Sequence, residues 1–425
     1  MKVLILTLGT RGDVQPFIAL ARELQRRGHH AVLAAPERFA DLAATYGVEF
    51  AGVDDGPLRV LDSGSAIADV AAGGLKAKMA LMRRLPPLFT KLLEDCWEVA
   101  SFGAGVGADV VVHNGQVIAG QHIAEKLGVP AVLAIPVPIY VPTRAFPWPG
   151  QPFPSWLPST LNRFTYLGMT APALMFGRTV DRWREGLRLP RRRNRHDPLR
   201  QADGSDTTVL HAVSPSVIPR PADWPNSVHM TGYWFLDSDG AARAGKDLRM
   251  LFDEREPLVF VGFGSMVGPE PAATTDIVHQ ALSKVGVRGV LAGGWGGLTS
   301  KPHNEHFFVH GQVAHDAVFP QCSVIVHHGG AGTTAAAARA GRPQVVCPFV
   351  ADQAFWARQM QRQGVAPAPV EQRDLTTERL ASAIERALAS PMTSAAHRLS
   401  ERVRAEDGVG VAVDLLERVT NLQGR

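Results

Sequence analysis

Two α/β domains, each a parallel sheet wound with helices, are predicted by three features of this sequence. Short unbroken apolar runs alternate with helical stretches, as buried parallel strands and their crossover helices do. The alternation begins at Lys2, fails in a proline-aromatic region, and restarts at Leu258. A chain of 425 residues is also longer than one hydrophobic core ordinarily organises.

Lys2 to Leu8 reads as the first strand. Val14, Phe17, Ile18, Ala21 and Leu24 then recur at helical spacing until Gly28 stops the pattern. Ala31 to Ala35 is strand-like again, and Val110 to Val112, the helical stretch Ile118 to Leu127, and Ala131 to Ile135 continue the series. From Phe146 to Arg200 the rhythm breaks. FPWPGQPFPSWLP is a loop, and the Leu-, Met-, Phe- and Tyr-rich stretch after it suits either an insertion facing a ligand or a helix covering the sheet. TGYWFLDSDGAARAGKD has the polar, glycine-rich composition of a linker. Beyond it, Leu258 to Phe263, Val290 to Ala292, Phe307 to Val309, Ser323 to Val326 and Gln344 to Cys347 read as strands with helices between them. The expected division is a first domain at 1–236, a linker at 237–250, a second domain at 251–407 and a closing helix at 408–425.

At 45% hydrophobic and 20% charged residues the composition is that of a globular protein. Cys96, Cys322 and Cys347 are scattered, with no C-x-x-C spacing, so neither a disulfide framework nor a zinc site is suggested and a cytoplasmic setting fits. Val3 to Leu8 is too short for a signal-peptide core, and prolines interrupt the longest apolar run, Pro130 to Pro142. The net charge of +4 gathers in an arginine-rich stretch from Arg182 to Arg200. Its ordinary reading is a solvated surface; its sharper one is a peripheral contact with an anionic membrane. Nucleic acid is not expected, because no aromatic residues alternate with these arginines beyond Trp183.

In open α/β sheets ligands bind beyond the carboxyl ends of the strands, which directs attention to three loops. In Gly9-Thr10-Arg11-Gly12-Asp13, the aspartate falls at a helix start, where a carboxylate is either a cap or a general base for a hydroxyl proton. The spacing does not match the G-x-G-x-x-G fingerprint, so no nicotinamide cofactor is expected. In Gly262-Phe263-Gly264-Ser265, Gly264 permits close backbone approach and Ser265 offers a hydroxyl to phosphate. The third loop, His327-His328-Gly329-Gly330-Ala331-Gly332-Thr333, lies between a strand and a helix, the arrangement of an anion site at a helix N-terminus. A tight turn with a packed histidine pair is its structural alternative. Further on, Asp352 and Gln353 carry groups able to bind sugar hydroxyls, or else begin a helix.

HHGGAGTTAAAARAGRPQVVCPFVADQAFWARQ closely resembles the donor box of nucleotide-sugar glycosyltransferases, above all the sterol-glucosyltransferase-like group. GTRGDVQPFIALARELQRRGH, HIAEKLGVPAV, TGYWFLD, VGFGSM and AHDAVFPQC resemble that group's other segments. Nearly the whole chain is covered, least well at 50–108 and 148–206. The resemblance implies the GT-B fold: two Rossmann-like domains with parallel sheets facing across a cleft, and a C-terminal helix crossing back to the first.

It also implies roles. Asp13 matches the group's catalytic base, where many plant enzymes carry histidine. His327, Gly330, Gly332 and Thr333 match the phosphate-binding part of the box, with Ser265 beside them, and Asp352 with Gln353 the pair that holds the donor sugar. The plant box opens on a tryptophan that stacks on uracil; Gln312-Val313-Ala314-His315 has no aromatic ring of that kind, so base recognition through backbone at Gln312 and Val313 is expected. Acceptor contacts are placed on Arg11, Gly12, Asn114, Pro136, Tyr140 and Phe146, with the apolar tracts Leu75 to Leu93 and Ile135 to Phe176 supplying a broad cleft. Asp237-Ser238-Asp239 looks like a D-x-D metal motif but falls in the linker, where a solvated turn is expected. The activity implied is an inverting transfer of a hexose from a UDP- or dTDP-sugar to a hydrophobic alcohol, with no metal and no cofactor. A nucleotide-sugar epimerase and a non-catalytic binding protein are the competing readings.

Overall fold

The computed structural model describes residues 1–56, 59, 85–154, 156–192, 196–237, 257–264, 271–293, 298, 307–310 and 313–423. The first half holds a seven-stranded sheet in the order β3-β2-β1-β4-β5-β6-β7, formed by β1 (Lys2–Leu6), β2 (His30–Pro36), β3 (Glu49–Val53), β4 (Val110–His113), β5 (Ala131–Ile135), β6 (Thr208–His211) and β7 (Val228–Met230). The second holds five strands in the order β10-β9-β8-β11-β12: β8 (Leu258–Gly262), β9 (Arg288–Ala292), β10 (Phe307–His310), β11 (Val324–His327) and β12 (Gln344–Val346). Neighbouring strands pair in parallel throughout, for example Leu4 with Val32 and with Val111.

Each strand order reverses direction at one point, β1/β4 in the first sheet and β8/β11 in the second. Adjacent connections there run to opposite faces, opening a crevice at the strand ends. The three chemically unusual loops leave three of these four strands, β1, β8 and β11.

Helices cover both faces of the first sheet. α1 (Arg11–Arg26) buries Val14, Phe17, Ile18, Ala21 and Leu24 against Val3, Ile5 and Leu33. On the other face lie α2 (Ala119–Leu127), a helix over 85–101, and α3 (Ala171–Gly186) from the region where the rhythm broke. Phe89 stacks on Phe176 with centroids 4.0 Å apart, so α3 serves as a covering helix. The last helix, α4 (Gly408–Gln423), returns to the first half. Its Ala412, Val413 and Leu416 join the core around α1, and Glu417 bonds His29 at 2.8 Å.

The halves also meet directly. Trp356 and Phe355 pack in one apolar cluster with Phe146, Val213 and Trp224, while Gln363 Nε2 donates to the Val217 carbonyl at 2.9 Å and Arg358 to that of Phe153 at 2.7 Å.

Candidate active site

The first crevice is built around Asp13, the third residue of α1. Thr10 donates to Asp13 Oδ2 from its backbone N–H at 2.8 Å and its hydroxyl at 3.0 Å, so the carboxylate does serve the helix end, as the capping alternative holds. Gly9, at φ +127°, is required there. A Cβ on it would lie 2.3 Å from Asp13 Oδ2, besides the strained backbone. The other carboxylate oxygen, Oδ1, receives the Gln116 amide at 3.4 Å from the loop after β4. Tyr140, after β5, lies against Gly115, where a Cβ would sit 1.9 Å from the ring, and the Asp13 charge joins burial in raising its phenol above the ordinary range. Arg11 and Gly12 are exposed beside Asp13, and Pro136 is half-buried at the end of β5.

The second crevice is built mostly of backbone. α5 (Ala331–Ala340) begins after Gly330, and its first closing bond runs from Thr334 N to the Gly330 carbonyl at 2.9 Å. The N–H groups of Ala331, Gly332 and Thr333 therefore have no acceptor within the helix and stand at its positive end. Gly329, at φ +94°, has no room for a Cβ, which would come within 2.8 Å of Val346 and 3.0 Å of the Gln353 carbonyl. The His328 ring fills the space between the two glycine loops: a Cβ would lie 2.5 Å from its Nε2 if on Gly330, and 3.0 Å from its Cε1 if on Gly264. Burial lowers its pKa to about 4, leaving a neutral ring beside the helix end.

α6 (Gln353–Arg362) starts next to that loop, with Asp352 as its cap residue and Ala351 in the left-handed region at φ 55°. Asp352 Oδ2 accepts from Trp356 Nε1 at 2.8 Å, and burial raises its pKa. Gln353 Oε1 accepts from the backbone of Phe349 and Val350 at 2.7 and 3.1 Å, so only its amide nitrogen is left to meet a ligand. Across the cleft, the Arg11 guanidinium adds to burial in lowering His315 to about 4, which sets the loop after β1 opposite the second half.

Residues 3–146 match the glycosyltransferase family 28 N-terminal domain, and 305–413 the erythromycin biosynthesis protein CIII-like C-terminal domain. Over 428 residues the chain is 32% identical to a sterol 3-beta-glucosyltransferase of Arabidopsis thaliana, covering 98% of this chain and 68% of that one. The chain belongs to the sterol glucosyltransferase family. It is likewise 32% identical to the sterol 3-beta-glucosyltransferase of Leptosphaeria maculans, over 98% of its own length but only 29% of the fungal protein's. Among solved structures, the kitacinnamycin glycotransferase superposes with a TM-score of 0.73 at 19% identity, over 99% of each chain, and shares the two-domain GT-B fold.

In this sterol glucosyltransferase family member, several residues do other work than expected. His327 is fully buried. Its Nε2 is 2.8 Å from Gln344 Oε1 and its Nδ1 accepts from the Gly329 N–H at 3.0 Å, so both ring nitrogens are consumed, and burial lowers its pKa to about 3. It shapes the loop, and His328 is the histidine that faces the crevice. Asn114 is 3% exposed, donating to Thr7 Oγ1 and the Leu8 carbonyl and accepting from the N–H groups of Gln116 and Val117. All four of its hydrogen-bonding positions are filled, so it pins a turn and does not meet an acceptor. Phe146 is 4% exposed and packs 5.3 Å from Phe355, an apolar contact between the halves rather than a cleft wall.

Val313 is half-buried against the cluster of Phe260 and Phe319. Ser265, Gln312, Ser238 and Asp239, with the beginning of the Leu75–Leu93 tract, lie outside the described residues. Asp237 pairs with Arg339. The arginine-rich stretch is not wholly solvated. Arg184 is buried and donates to His122 and Glu125 at 2.8 and 2.7 Å, and Arg192 joins Glu125 at 3.0 Å. Gln116 was not among the expected residues. Its only signal in the sequence is its place just past a switch-point strand.

Proposed function

We propose that the protein transfers a hexose, glucose in the first instance, from a UDP- or dTDP-sugar to a hydroxyl of a hydrophobic acceptor such as a sterol, hopanoid or polyketide. The observation that carries this reading is the pairing of the two crevices: an aimed carboxylate, Asp13, on one half and a helix N-terminus lined by His328 on the other.

The acceptor oxygen forms a bond to the anomeric carbon as the bond from that carbon to the diphosphate breaks. The acceptor proton passes to Asp13, and the nucleoside diphosphate carries away the electron pair. One displacement inverts the anomeric centre. The task of Asp13 is to orient the hydroxyl and take its proton. The amides of Ala331, Gly332 and Thr333, with His328, meet the charge growing on the diphosphate, each such donor being worth roughly 3 kcal/mol in comparable oxyanion sites. That supply of donors is the ground for proposing that no metal is needed. Asp352 and the Gln353 amide nitrogen hold the sugar, and Tyr140 and Pro136 border the acceptor. Contact with an anionic membrane through the arginine-rich stretch falls to Arg182, Arg188 and Arg191, which stay exposed.

The test is incubation with EDTA, UDP-glucose or dTDP-glucose, and a panel of sterol and polyketide alcohols, comparing wild type with Asp13→Asn by mass spectrometry. A glycoside from wild type alone is expected. Product undiminished in Asp13→Asn would remove the base, and conversion of the donor to an epimeric nucleotide sugar without an added alcohol would point to the epimerase reading.

A further inference from the structure

We infer that Gln116 is a positioning residue for Asp13, and that Asp13 Oδ1, the oxygen it addresses, is the one that takes the acceptor proton. The inference rests on the proposed role of Asp13 as the base.

The two carboxylate oxygens are not equivalent. Oδ2 accepts two bonds from Thr10 and lies against Gly9, so closely that a single added methyl carbon would collide with it at 2.3 Å. Both of its acceptor positions are therefore already taken by Thr10. Oδ1 is the oxygen turned toward the loop after β4, and it accepts from Gln116 Nε2.

Gln116 is exposed, yet its backbone is anchored. Asn114 accepts from the Gln116 N–H at 3.1 Å and donates to Thr7 Oγ1 at 2.9 Å, and Thr7 Oγ1 donates to the Asp13 carbonyl at 2.8 Å. A closed circuit results: from the Asp13 backbone through Thr7 and Asn114 to the Gln116 backbone, and back through the Gln116 side chain to the Asp13 carboxylate. The buried part of this circuit, Thr7 and Asn114, is stiff, so the loops after β1 and β4 hold one relative position and carry the exposed Gln116 amide to Oδ1. The 3.4 Å separation is long for a hydrogen bond, as contacts in unliganded sites often are before substrate tightens them. An amide there limits rotation of the carboxylate and favours its ionised form. Glutamine supplies the donor without a charge of its own.

Removing this donor without changing bulk, as in Gln116→Leu, is expected to lower kcat about ten- to a hundredfold, the range for a charge-assisted hydrogen bond, with the KM for nucleotide sugar unchanged. Because Gln116 is exposed, the variant keeps its melting temperature. Gln116→Glu sets a second carboxylate beside Oδ1, which makes ionisation of Asp13 harder and moves the acid limb of kcat/KM to higher pH. Among the described residues, the other charged or titratable groups near Asp13 include Arg11 on its own helix, Arg38 bonded to the Gly9 carbonyl at 2.9 Å, and Tyr140 after β5, and these are the same in that variant. Wild-type kcat in Gln116→Leu, or an acid limb unmoved in Gln116→Glu, overturns the inference while leaving Asp13 as base. A raised acceptor KM with unchanged kcat also overturns it and makes Gln116 an acceptor contact. Full activity in Asp13→Asn removes the base and this inference together.

Discussion

The loop after β1 presents a side chain to the cleft, whereas the loop after β11 presents backbone. In the first, a carboxylate is held by Thr10, Gly9 and Gln116; in the second, three amides at the start of α5 stand ready, and the side chains mostly shape the turn. On the proposed reaction, the difference follows from what each would handle. Proton transfer needs one titratable atom aimed at one hydroxyl, while a diphosphate needs several donors that stay in place as charge grows. A side-chain site should therefore fail sharply at a few positions, and a backbone site by degrees.

The largest effect is expected from Gly9→Ala. The added methyl collides with Asp13 Oδ2 and the residue sits at φ +127°, so kcat should fall by about a hundredfold or more while nucleotide affinity, measured calorimetrically, is kept. Loss of nucleotide binding in this variant would break the distinction between the two loops.

Next comes the histidine pair, which separates shaping from contact. His328→Ala should weaken UDP or dTDP binding roughly tenfold, the value of one good donor to an anion, with little change in melting temperature. His327→Ala should do the reverse. It strands Gln344 and the Gly329 N–H in the interior, at a cost of about 1–3 kcal/mol read in thermal unfolding. If His327→Ala keeps wild-type stability and loses nucleotide, the assignment is inverted.

The smallest effect per residue spans both halves. Burial lowers His113 to about 4 and His211 and His327 to about 3, so all three fold as neutral rings. Unfolded, each takes a proton below its ordinary value of about 6.5, the unfolded state then binds more protons, and stability falls as pH drops from 6.5 toward those lowered values. Each costs about 1 kcal/mol by pH 5.5, a drop of a few degrees in melting temperature for the three together. A flat profile from pH 7.5 to 5.5 would show that these rings are hydrated.

The strands that were legible in the sequence are those buried on both faces, such as Val110 to Val112 and Ala131 to Ile135, because a continuous apolar run leaves no other reading. β3 is half exposed, and β6 and β7 are short, so none stood out. In the site, Asp13 and the glycine-rich loop were visible because their composition is unusual. Gln116 was not, since a glutamine two residues past an asparagine has no signature of its own.

The sequence alone determined which loops stand at the strand ends: apolar runs locate those ends, and glycines and a helix start mark where a backbone can meet an anion. Only the tertiary structure decided which side chains in those loops face the cleft. His327 closes β11 and turns inward to Gln344 of β12, while its neighbour His328 points between the glycine loops. Successive residues of an extended chain project to opposite sides, so two identical letters take opposite roles once the sheet fixes which side is the core. Asn114 and Gln116 divide for a different reason: they lie in the turn after β4, where strand alternation no longer applies. The buried amide holds the turn, and the exposed one, two residues on, reaches the carboxylate.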